Sequence, residues 1–363
     1  MKKIYFNVTN DLVYDQRMQR ICTSLAQAGY EVTLVGRKNA SSPPLATTLY
    51  KQKRLRCWFQ KGKWFYAEYN ARLFLYLLFK KMDAICAIDL DTILPCLHIS
   101  RLKKIPRIYD AHELFTGLKE VATRPHVLST WTRIEKKAVP QFKHGYTVSD
   151  SIAGEFHKRY GVNYATIRNL PVLHEWTEPI KKEKHLLYLG AINEARAFEF
   201  FIPAMQWVDH KLIVCGDGNF MPQLKALIKK YEQENKIELK GMLPPALLRD
   251  QCRQAYIGIG FAENTGLNQW LALPNKFFDY LHAGLPQIAM NYPEYQKLNE
   301  QYQVAILVDD LVPEKMAATI NNLIEDNVLY SRLQENCRRA RLELNWQQEE
   351  KKLIAFYQSV FNS

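Results

Sequence analysis

The chain has 363 residues, of which 47% are hydrophobic, with 15 Gly and 16 Pro; this excludes a disordered or fibrous protein and predicts two globular domains. A formal net charge of +12 favours an anionic partner, either nucleic acid, acidic lipid or a phosphorylated substrate. Seven cysteines without a CxxC pair argue against a disulfide framework and against a zinc site, and indicate reduced, mostly buried thiols.

The sequence also indicates where in the cell the protein is located. The opening MKKIYFNVTNDLVYD contains no apolar run long enough for a signal peptide. No later segment reaches the roughly 18 apolar residues of a membrane span. We therefore expect a cytoplasmic protein.

A βαβ unit opens the chain, with predicted elements over residues 3–8, 15–28 and 31–35. Such a unit is typical of a doubly wound parallel sheet. Its first loop lacks the glycine-rich dinucleotide fingerprint, which argues against a nicotinamide site. The loop places Asp11, Asp15 and Arg17 at the carboxyl edge of the first strand, where open α/β sheets bind ligands. Asp15 fits equally well as the N-cap of the helix.

The segment 50–82 interleaves nine Lys or Arg with ten aromatic residues. Basic residues beside aromatic ones suit either a nucleic-acid surface or the headgroup layer of an acidic bilayer. The run from Leu73 to Phe79 favours the bilayer, because a solid apolar run has no use against a phosphodiester backbone. Alternatively this run is the buried side of a helix, and both interpretations can hold together.

Polar side chains gather where the strand beginning at residue 107 ends. They are Tyr109, Asp110, His112 and Glu113. Carboxylate neighbours orient an imidazole and tune its pKa, which favours substrate contact by His112 over a purely structural role. A further strand, acidic turn and helix are predicted over 84–97, and a strand and helix over 144–156 with Ser149 or Asp150 as N-cap.

Residues 174–185 are polar, charged and without periodicity, so they are the best candidate for a linker. The alternation of elements then restarts and predicts a second parallel sheet, with strands over 186–190, 211–218, 237–241, 256–261, 287–290 and 305–308. An amphipathic helix from Trp346 to Phe361 could pack anywhere, including back on the first domain.

Two loops of the second half carry glycine. Gly190 opens a loop whose Arg196 can reach a diphosphate, and the turn between Gly216 and Gly218 lets the backbone approach a ligand closely. Short glycine turns also occur merely to reverse a chain.

The helix predicted between Pro274 and Gly284 is the most informative element. Its spacing places Asn275, Lys276 and Asp279 near one end. Its apolar side is supplied by Phe277, Phe278 and Leu281. A cation, an amide and a carboxylate at a helix N-terminus favour an anion such as a phosphate. An ordinary amphipathic helix with a solvated polar face would show the same pattern.

These features resemble the GT-B architecture of nucleotide-sugar glycosyltransferases, an α/β fold of two Rossmann-like doubly wound domains facing each other across a cleft. The closer resemblance is to glycosyltransferase family 4. It is carried by NDLVYDQRMQRICTSLAQAGYEVTLVGR, YDAHELF, YTVSDSIA, IRNLP, YLGAINEAR, VCGDG and PNKFFDYLHAGLP. It implies an acceptor-binding domain over 1–173, a donor-binding domain over 174–345 and a C-terminal helix over 346–363.

The resemblance implies roles for particular residues. The predicted catalytic residues are His112, Arg196 and Lys276. The predicted donor-binding residues are Gly190, Arg196, Gly216, Gly218, Glu263, Asn264, Asn275, Lys276 and Asp279. The predicted acceptor-side residues are Asp15, Arg17, Asp110, His112 and Glu113. Arg196 and Lys276 would hold the donor diphosphate, Asp279 would bind the ribose, and His112 would lie near the transferred sugar.

This chain departs from the family at one position. Family members usually place a Glu eight residues before the ribose-binding carboxylate, where this chain has Leu271. Glu263 or Asn264 could take over the sugar contact. Cations and a helix N-terminus can stabilise the leaving diphosphate without a metal, so no metal is expected. The only Asp-x-Asp spacing, Asp89 and Asp91, lies in the other domain.

The resemblance implies a retaining glycosyltransferase that uses a UDP- or GDP-linked donor and a glycan or polyprenyl-diphosphate-linked acceptor in bacterial surface polysaccharide biosynthesis. Residues 50–82 would contact the anionic inner face of the cytoplasmic membrane. Two alternatives stay open: a noncatalytic nucleotide-sugar-binding partner of a glycan assembly complex, and a nonhydrolysing sugar-nucleotide epimerase. A nucleic-acid binder would explain the charge but leaves the two sheets unexplained.

Overall fold

The computed structural model describes residues 1–40, 42–176 and 182–362, and it divides the chain into two compact units. The first unit comprises Met1–Asn169, Gly266–Asn268 and Glu349–Ser363; the second comprises Leu170–Thr265 and Gln269–Gln348. Of the predicted linker, residues 177–181 lie outside the described residues.

The described part of the first unit contains a seven-stranded parallel sheet. Its strands are β1 (Lys3–Asn7), β2 (Glu31–Lys38), β3 (Lys51–Arg56), β4 (Ala84–Ile88), β5 (Arg107–Ala111), β6 (His144–Thr147) and β7 (Ala165–Thr166). Their order is β3-β2-β1-β4-β5-β6-β7, with Phe6 of β1 between Leu34 and Cys86. The strand order reverses between β1 and β4, and open α/β sheets bind ligands beside the carboxyl ends of strands at such a point.

The helices of the first unit connect these strands. They are α1 (Gln16–Gln27), α2 (Gly62–Leu78), α3 (Ile93–Lys103), α4 (Lys119–Ala122), α5 (Pro125–Ala138) and α6 (Asp150–Tyr160). Asp15 caps α1 by accepting a hydrogen bond from the backbone N–H of Met18 at 3.0 Å. Ser149, and not Asp150, caps α6 through the N–H of Ile152 at 3.2 Å. These caps satisfy backbone donors that the first turn of each helix leaves without partners.

The basic, aromatic segment 50–82 folds into β3 and α2. Strand β3, which the sequence did not predict, lies at the edge of the sheet, where charged side chains are usual and an apolar pattern is absent. In the run from Leu73 to Phe79, Leu73 and Leu77 are buried, whereas Leu75 is 58% exposed and Phe79 is 82% exposed. The run therefore contributes to the core and to the surface at once.

The second unit has a six-stranded parallel sheet in its described part. Its strands are β8 (His185–Leu189), β9 (Lys211–Cys215), β10 (Ile237–Gly241), β11 (Ile257–Gly260), β12 (Gln287–Met290) and β13 (Ala305–Val308). The order is β10-β9-β8-β11-β12-β13, so the reversal falls between β8 and β11. The six predicted strands of this half are confirmed to within a few residues at their ends.

The remaining helices complete the second unit and the C-terminus. They are α7 (Phe198–Ala204), α8 (Met221–Lys230), α9 (Pro245–Gln254), α10 (Leu267–Leu271), α11 (Asn275–His282), α12 (Pro293–Tyr302), α13 (Pro313–Glu325), α14 (Asn327–Glu343) and α15 (Trp346–Asn362). From Glu349 onward α15 belongs to the first unit, where the ring of Tyr357 lies 5.9 Å from Phe6 and 6.3 Å from Tyr146.

Strand β8 shows why the strands of the second unit are continuously apolar. Leu186 and Tyr188 belong to one buried cluster, whereas Leu187 and Leu189 belong to another. Because successive side chains of a strand point to opposite faces, the sheet is covered on both faces. An uninterrupted apolar strand is the pattern that this doubly covered sheet requires.

All seven cysteines are buried and unpaired, which confirms the expected free thiols. Burial raises the pKa of every one of these thiols. Within the described residues, the helices fall short of the length and apolar character that crossing a membrane requires.

Helix α11 is followed by a glycine at which a larger residue would be strained. Gly284 has a φ of +61°, and its N–H donates to Leu281 O at 3.1 Å. A Cβ at this position would lie 2.8 Å from the ring of Trp176, over which the guanidinium groups of Arg341 and Arg338 lie 4.1 and 5.8 Å from the ring centroid. Both backbone conformation and space therefore favour glycine.

We predict that Gly284→Ala lowers the free energy of unfolding by about 1 to 3 kcal/mol, because it combines a left-handed backbone with a steric clash. The matched control is Gly154→Ala in α6, where a Cβ meets nothing within 4 Å. The control should stabilise the protein by about 0.5 to 1 kcal/mol. Urea unfolding curves measure both changes, and equal effects at the two positions would contradict the analysis.

Candidate functional site

A hydrogen-bonded array in the first unit joins three predicted acceptor-side residues. Arg17 Nη2 donates to Asp110 Oδ1 at 3.0 Å, and Arg17 Nη1 donates to the main-chain oxygen of Ile167 at 3.0 Å. Asp110 Oδ2 lies 3.1 Å from His112 Nε2. Asp110 is fully buried, whereas the side chain of His112 is 17% exposed. The array thus leads from a buried ion pair to an imidazole at the carboxyl end of β5.

Asp89, for which the sequence analysis predicted no role, also belongs to this array. Its Oδ1 accepts a hydrogen bond from the backbone N–H of His112 at 2.8 Å, and its Oδ2 lies 3.9 Å from His112 Nδ1. Asp89 has a φ of 54° and a ψ of 177°, close to a region that is almost reserved for glycine. A carboxylate directly after a buried strand beside the strand-order reversal was the available signal. Its backbone conformation was invisible in the sequence.

The charges of the array determine what His112 can do. Burial disfavours a charge on Asp110, but Arg17 and His112 outweigh this effect and lower the pKa of Asp110. Burial likewise opposes protonation of His112, but Asp110 and Asp89 outweigh it and raise the pKa to about 9. Burial raises the pKa of Asp89 to about 8. Asp110 is the nearer carboxylate to His112, so we assign it as the partner of the imidazolium.

The raised pKa of His112 favours the imidazolium at neutral pH, with Nε2–H donating to the Asp110 carboxylate at 3.1 Å, whereas the raised pKa of Asp89 favours its neutral carboxyl form 3.9 Å from Nδ1. A nitrogen that already donates to a carboxylate has no lone pair available to accept a proton from a substrate. His112 can stabilise a negative charge or donate a hydrogen bond, but it is not arranged as a general base.

The other residues at this edge are placed less centrally. The Oδ1 of Asp15 caps α1, which confirms the capping alternative for this residue. Asp11 pairs with Arg54 at 3.3 Å and links its loop to β3. Glu113 is exposed, and its charge is a secondary cause of the raised pKa of Asp89. A role for Asp15 or Glu113 towards an acceptor stays a prediction.

In the second unit, two glycine turns pack backbone against backbone beside the strand-order reversal. Gly190 has a φ of +121° and Gly216 a φ of +155°. A Cβ on Gly216 would lie 1.9 Å from Gly190 O, and a Cβ on Gly218 would lie 2.2 Å from Ile192 O. The packing of these two loops against each other therefore requires glycine, and the predicted approach of this backbone to a ligand stays a prediction.

The loop that carries Arg196 is strained on both sides of that residue. Ala195 has a φ of 64° and Ala197 a φ of 59°, a conformation that costs a residue with a Cβ roughly 1 to 2 kcal/mol. The oxygen of Ala195 accepts a hydrogen bond from Glu263 N at 3.1 Å, which ties this loop to the loop after β11. Local backbone strain concentrates at functional sites, where the surrounding structure maintains it.

Lys276 is the most unusual residue of the second unit. It lies in the first turn of α11, only 8% exposed, with its Nζ 4.1 Å from the ring centroid of Tyr188. Its ammonium has no hydrogen-bond acceptor among the described residues. Burial, together with the charge of Arg196, lowers the pKa of Lys276 well below 10.5. A buried cation near a second cation is unfavourable on its own, and an anionic ligand would reverse this.

The remaining predicted donor residues lie around this lysine in the chain. Asn275 is exposed at the start of α11, and Asp279 is half-buried one turn later. Glu263 and Asn264 lie in the loop after β11, and Leu271 ends α10. No group of three or more His, Cys, Asp or Glu that could hold a metal ion occurs in the part of the chain that the structure describes.

Tyrosines are the neighbours that the sequence analysis missed. The Tyr188 ring faces the ammonium of Lys276. Tyr292 donates from its hydroxyl to Ala262 O at 2.7 Å and so fixes the loop after β11. Neither residue stands out in sequence, because an aromatic residue in a buried strand or before a helix is most often part of the core.

Two protein-family models match consecutive parts of the chain. The model Glycosyltransferase Family 4 matches residues 16–171, and the model Glycosyl transferases group 1 matches residues 173–340. No curated protein matches the chain at a significant level.

Solved structures show the same fold over nearly the whole chain. A sucrose-phosphate synthase from Thermosynechococcus elongatus is 14% identical, with a TM-score of 0.79 over 100% of each chain. Anabaena HepE in complex with UDP-glucose is 12% identical, with a TM-score of 0.74 over 99% of this chain and 100% of that one. WaaG, a glycosyltransferase involved in lipopolysaccharide biosynthesis, is 14% identical, with a TM-score of 0.73 over 97% of this chain and 98% of that one.

The two sheets and these comparisons define the class: the protein is a glycosyltransferase with the GT-B fold. Within that class it is of the glycosyltransferase family 4 type, as the matched models together show.

The strain at Asp89 gives a test that separates backbone from side chain. Asp89→Ala and Asp89→Gly both remove the carboxylate, but only glycine adopts a φ of 54° without a penalty. We predict that the Gly variant is more stable than the Ala variant by about 1 kcal/mol. Thermal or urea unfolding measures this difference. An Ala variant as stable as the Gly variant would show that the backbone is not strained.

Proposed function

We propose that the protein transfers a sugar from a nucleoside-diphosphate donor to a glycan or lipid-linked acceptor, with retention, in the assembly of a bacterial surface polysaccharide. The observation that carries this proposal is the buried ammonium of Lys276, which lacks an acceptor and lies within the electrostatic influence of Arg196. A site that holds two cations in this way is prepared for a dianionic ligand.

The chemistry follows from the charges of the reaction. Breaking the bond between the anomeric carbon and the diphosphate develops negative charge on the leaving phosphate and positive charge on the sugar. Arg196, Lys276 and the N-terminus of α11 would stabilise the leaving group, each charge-assisted hydrogen bond contributing about 1.5 to 3 kcal/mol. Asp279 would bind the ribose, and Glu263 or Asn264 would contact the sugar.

His112 would act as a fixed positive charge near the transferred sugar. Its hydrogen bond to the Asp110 carboxylate favours this role over proton abstraction. The family 4 resemblance supplies the expectation that the sugar lies beside this residue.

The comparisons support the choice of donor and pathway. HepE, which has the same fold, binds UDP-glucose, so a UDP-sugar is the first donor to test. WaaG acts in lipopolysaccharide biosynthesis, which favours a surface glycan as product.

The segment 50–82 supports a membrane-associated acceptor. Trp58 is 84% exposed, Trp64 60% and Phe79 82%. Lys61 and Lys63 are exposed beside them in the chain. Aromatic and basic side chains together suit the interface of an anionic bilayer, and we propose that this segment contacts the cytoplasmic membrane there.

Leu271 favours a second candidate function, that of a noncatalytic nucleotide-sugar-binding partner. This residue occupies the place of a sugar-contacting Glu of the family, so the protein could bind a nucleotide sugar without transferring the sugar. Consumption of the donor in the presence of acceptor, measured as release of the nucleoside diphosphate, separates an enzyme from a noncatalytic binding partner.

Substitution of the buried lysine tests the donor site. We predict that Lys276→Met raises the melting temperature of the free protein, because it removes a desolvated charge that has no partner. The same change should weaken UDP or GDP binding about 10- to 100-fold, since one charge-assisted contact is lost.

A thermal-shift titration with UDP, GDP and their sugar conjugates measures both effects. The control is Lys225→Met, at an exposed lysine of α8 in the same unit. This change should alter neither the melting temperature nor the nucleotide affinity. A Lys276→Met variant that keeps the full nucleotide-induced shift would refute the proposed donor site.

Proton uptake offers an independent test. The lowered pKa of Lys276 favours the neutral amine at alkaline pH, and a bound diphosphate would favour the ammonium form and raise the pKa again. Binding at about pH 8.5 should therefore take up protons, and the uptake should shrink in Lys276→Met. Calorimetry in buffers of different ionisation enthalpy measures the number of protons taken up on binding. Net proton release on binding to the wild type would have the wrong sign.

A further inference from the structure

A cavity of about 560 Å³ lies between helices α5 and α6 of the first unit. It is lined by Thr132 and Lys136 of α5, Pro140 in the following turn, and Arg159 and Tyr160 at the end of α6. The first and last of these residues are half-buried and the other three are exposed, so a molecule from solution can reach the lining. We call this space the α5–α6 cavity. Its volume is ordinary for a small-molecule site.

Arg159 is fixed in position by contacts within the protein. Its Nε donates to Glu155 Oε1, one turn earlier in α6, at 2.6 Å. Its Nη1 donates to Thr116 Oγ1 at 3.1 Å, and Thr116 Oγ1 donates to Glu135 Oε2 at 2.9 Å. The side chain of Arg159 nevertheless stays 28% exposed. A guanidinium that is already ordered loses less conformational entropy when a ligand binds to it.

The carboxyl group behind this arginine does not make the cavity acidic. Glu135 is fully buried and does not line the cavity. Its Oε2 also accepts a hydrogen bond from the hydroxyl of Tyr160 at 2.7 Å. Burial raises the pKa of Glu135, which shifts this group towards its neutral form. A ligand in the cavity therefore meets the cations and not this carboxyl group.

Cations outnumber carboxylates around the α5–α6 cavity. Residues 133–143 and 155–160 contain six Lys or Arg and two Glu. One of these glutamates is the buried Glu135, and the other is Glu155, which pairs with Arg159. Within the described part of the chain, no hydrogen bond or ion pair engages the ammonium of Lys136. The surroundings therefore favour an anion.

We infer that the α5–α6 cavity binds a phosphate group, carried by a small soluble molecule or by a lipid headgroup, through Lys136 and Arg159. This site goes beyond the proposed donor and acceptor sites. A phosphate monoester carries up to two negative charges and several acceptor oxygens, so it can contact both cations at once, whereas a carboxylate carries a single charge. The hydroxyl of Thr132 adds a neutral donor. The space beside Pro140 and Tyr160 accommodates the group that carries the phosphate.

Two neighbouring lysines provide a matched pair of variants. Lys136 and Lys137 are both exposed on α5, but only Lys136 lines the cavity. Lys136→Gln and Lys137→Gln therefore remove the same charge from the same helix. The probes are inorganic phosphate and glycerol 3-phosphate, titrated against the full chain at constant ionic strength. The line width of the ³¹P resonance of each probe measures the apparent affinity.

We expect saturable binding of glycerol 3-phosphate by the wild type, weakened at least fivefold in Lys136→Gln and less than twofold in Lys137→Gln. The first variant loses a charge-assisted contact, whereas salt largely screens an exposed charge that does not touch the ligand. Equal losses in the two variants would indicate general attraction to a basic surface. That result, or the absence of binding by the wild type, overturns the inference.

Lys276→Met separates this site from the proposed donor site. Binding that survives Lys276→Met and is weakened in Lys136→Gln supports the α5–α6 cavity, whatever the outcome of the nucleotide titrations. Binding that is lost in Lys276→Met and fully kept in Lys136→Gln assigns the probe to the donor site. That result overturns the inference and leaves the donor proposal standing.

Vesicles distinguish the two sources of the phosphate group. Co-sedimentation with phosphatidylglycerol vesicles is compared with co-sedimentation with phosphatidylcholine vesicles, which carry no net charge. If the ligand is a lipid headgroup, Lys136→Gln weakens binding to the anionic vesicles more than Lys137→Gln does. If the ligand is a soluble molecule, the two variants bind these vesicles equally while only Lys136→Gln loses glycerol 3-phosphate. Either result supports the site and identifies the source.

Discussion

Parallel strand pairing is the constraint on which both units depend. Because the strands of each sheet run in the same direction, every strand delivers its following loop to the same edge. In the first unit this brings Asp89, after β4, to His112, after β5. In the second unit it brings the Arg196 loop, after β8, to Glu263, after β11. Residues far apart in the chain meet at these edges because neighbouring parallel strands end there.

The two units handle buried charge in opposite ways. In the first, Arg17 and Asp110 neutralise each other, and His112 extends the pair to the surface. Such a pair is complete without a ligand. In the second, Lys276 is desolvated against Tyr188 with no acceptor. The buried ion pair of the first unit needs no ligand. The buried lysine of the second unit lies in a site that gains stability when an anion enters.

Much of the fold could be predicted from the sequence. The elements and residues that were missed were missed for physical reasons. Apolar runs located the strands of the second sheet, and Pro274 with Gly284 located α11, because these signals are local. The charged edge strand β3 was missed since an edge strand needs no apolar pattern. Lys276 was predicted as a donor-binding residue, but its burial was not predicted, because that burial depends on Tyr188, which is distant in sequence. Asp89 was missed because its strained backbone torsion leaves no trace in composition or spacing.

The state of the cysteines has a practical consequence. Only a thiolate reacts readily with maleimides or iodoacetamides, and here burial both shields the sulfur atoms and raises their pKa. We therefore expect slow reaction of the folded chain with thiol reagents, with Cys57, at 8% exposure, the most accessible of the seven. One cysteine introduced at an exposed position, for example at Ser359 on α15, would accept a fluorophore or spin label selectively, with no need to delete the natural thiols first.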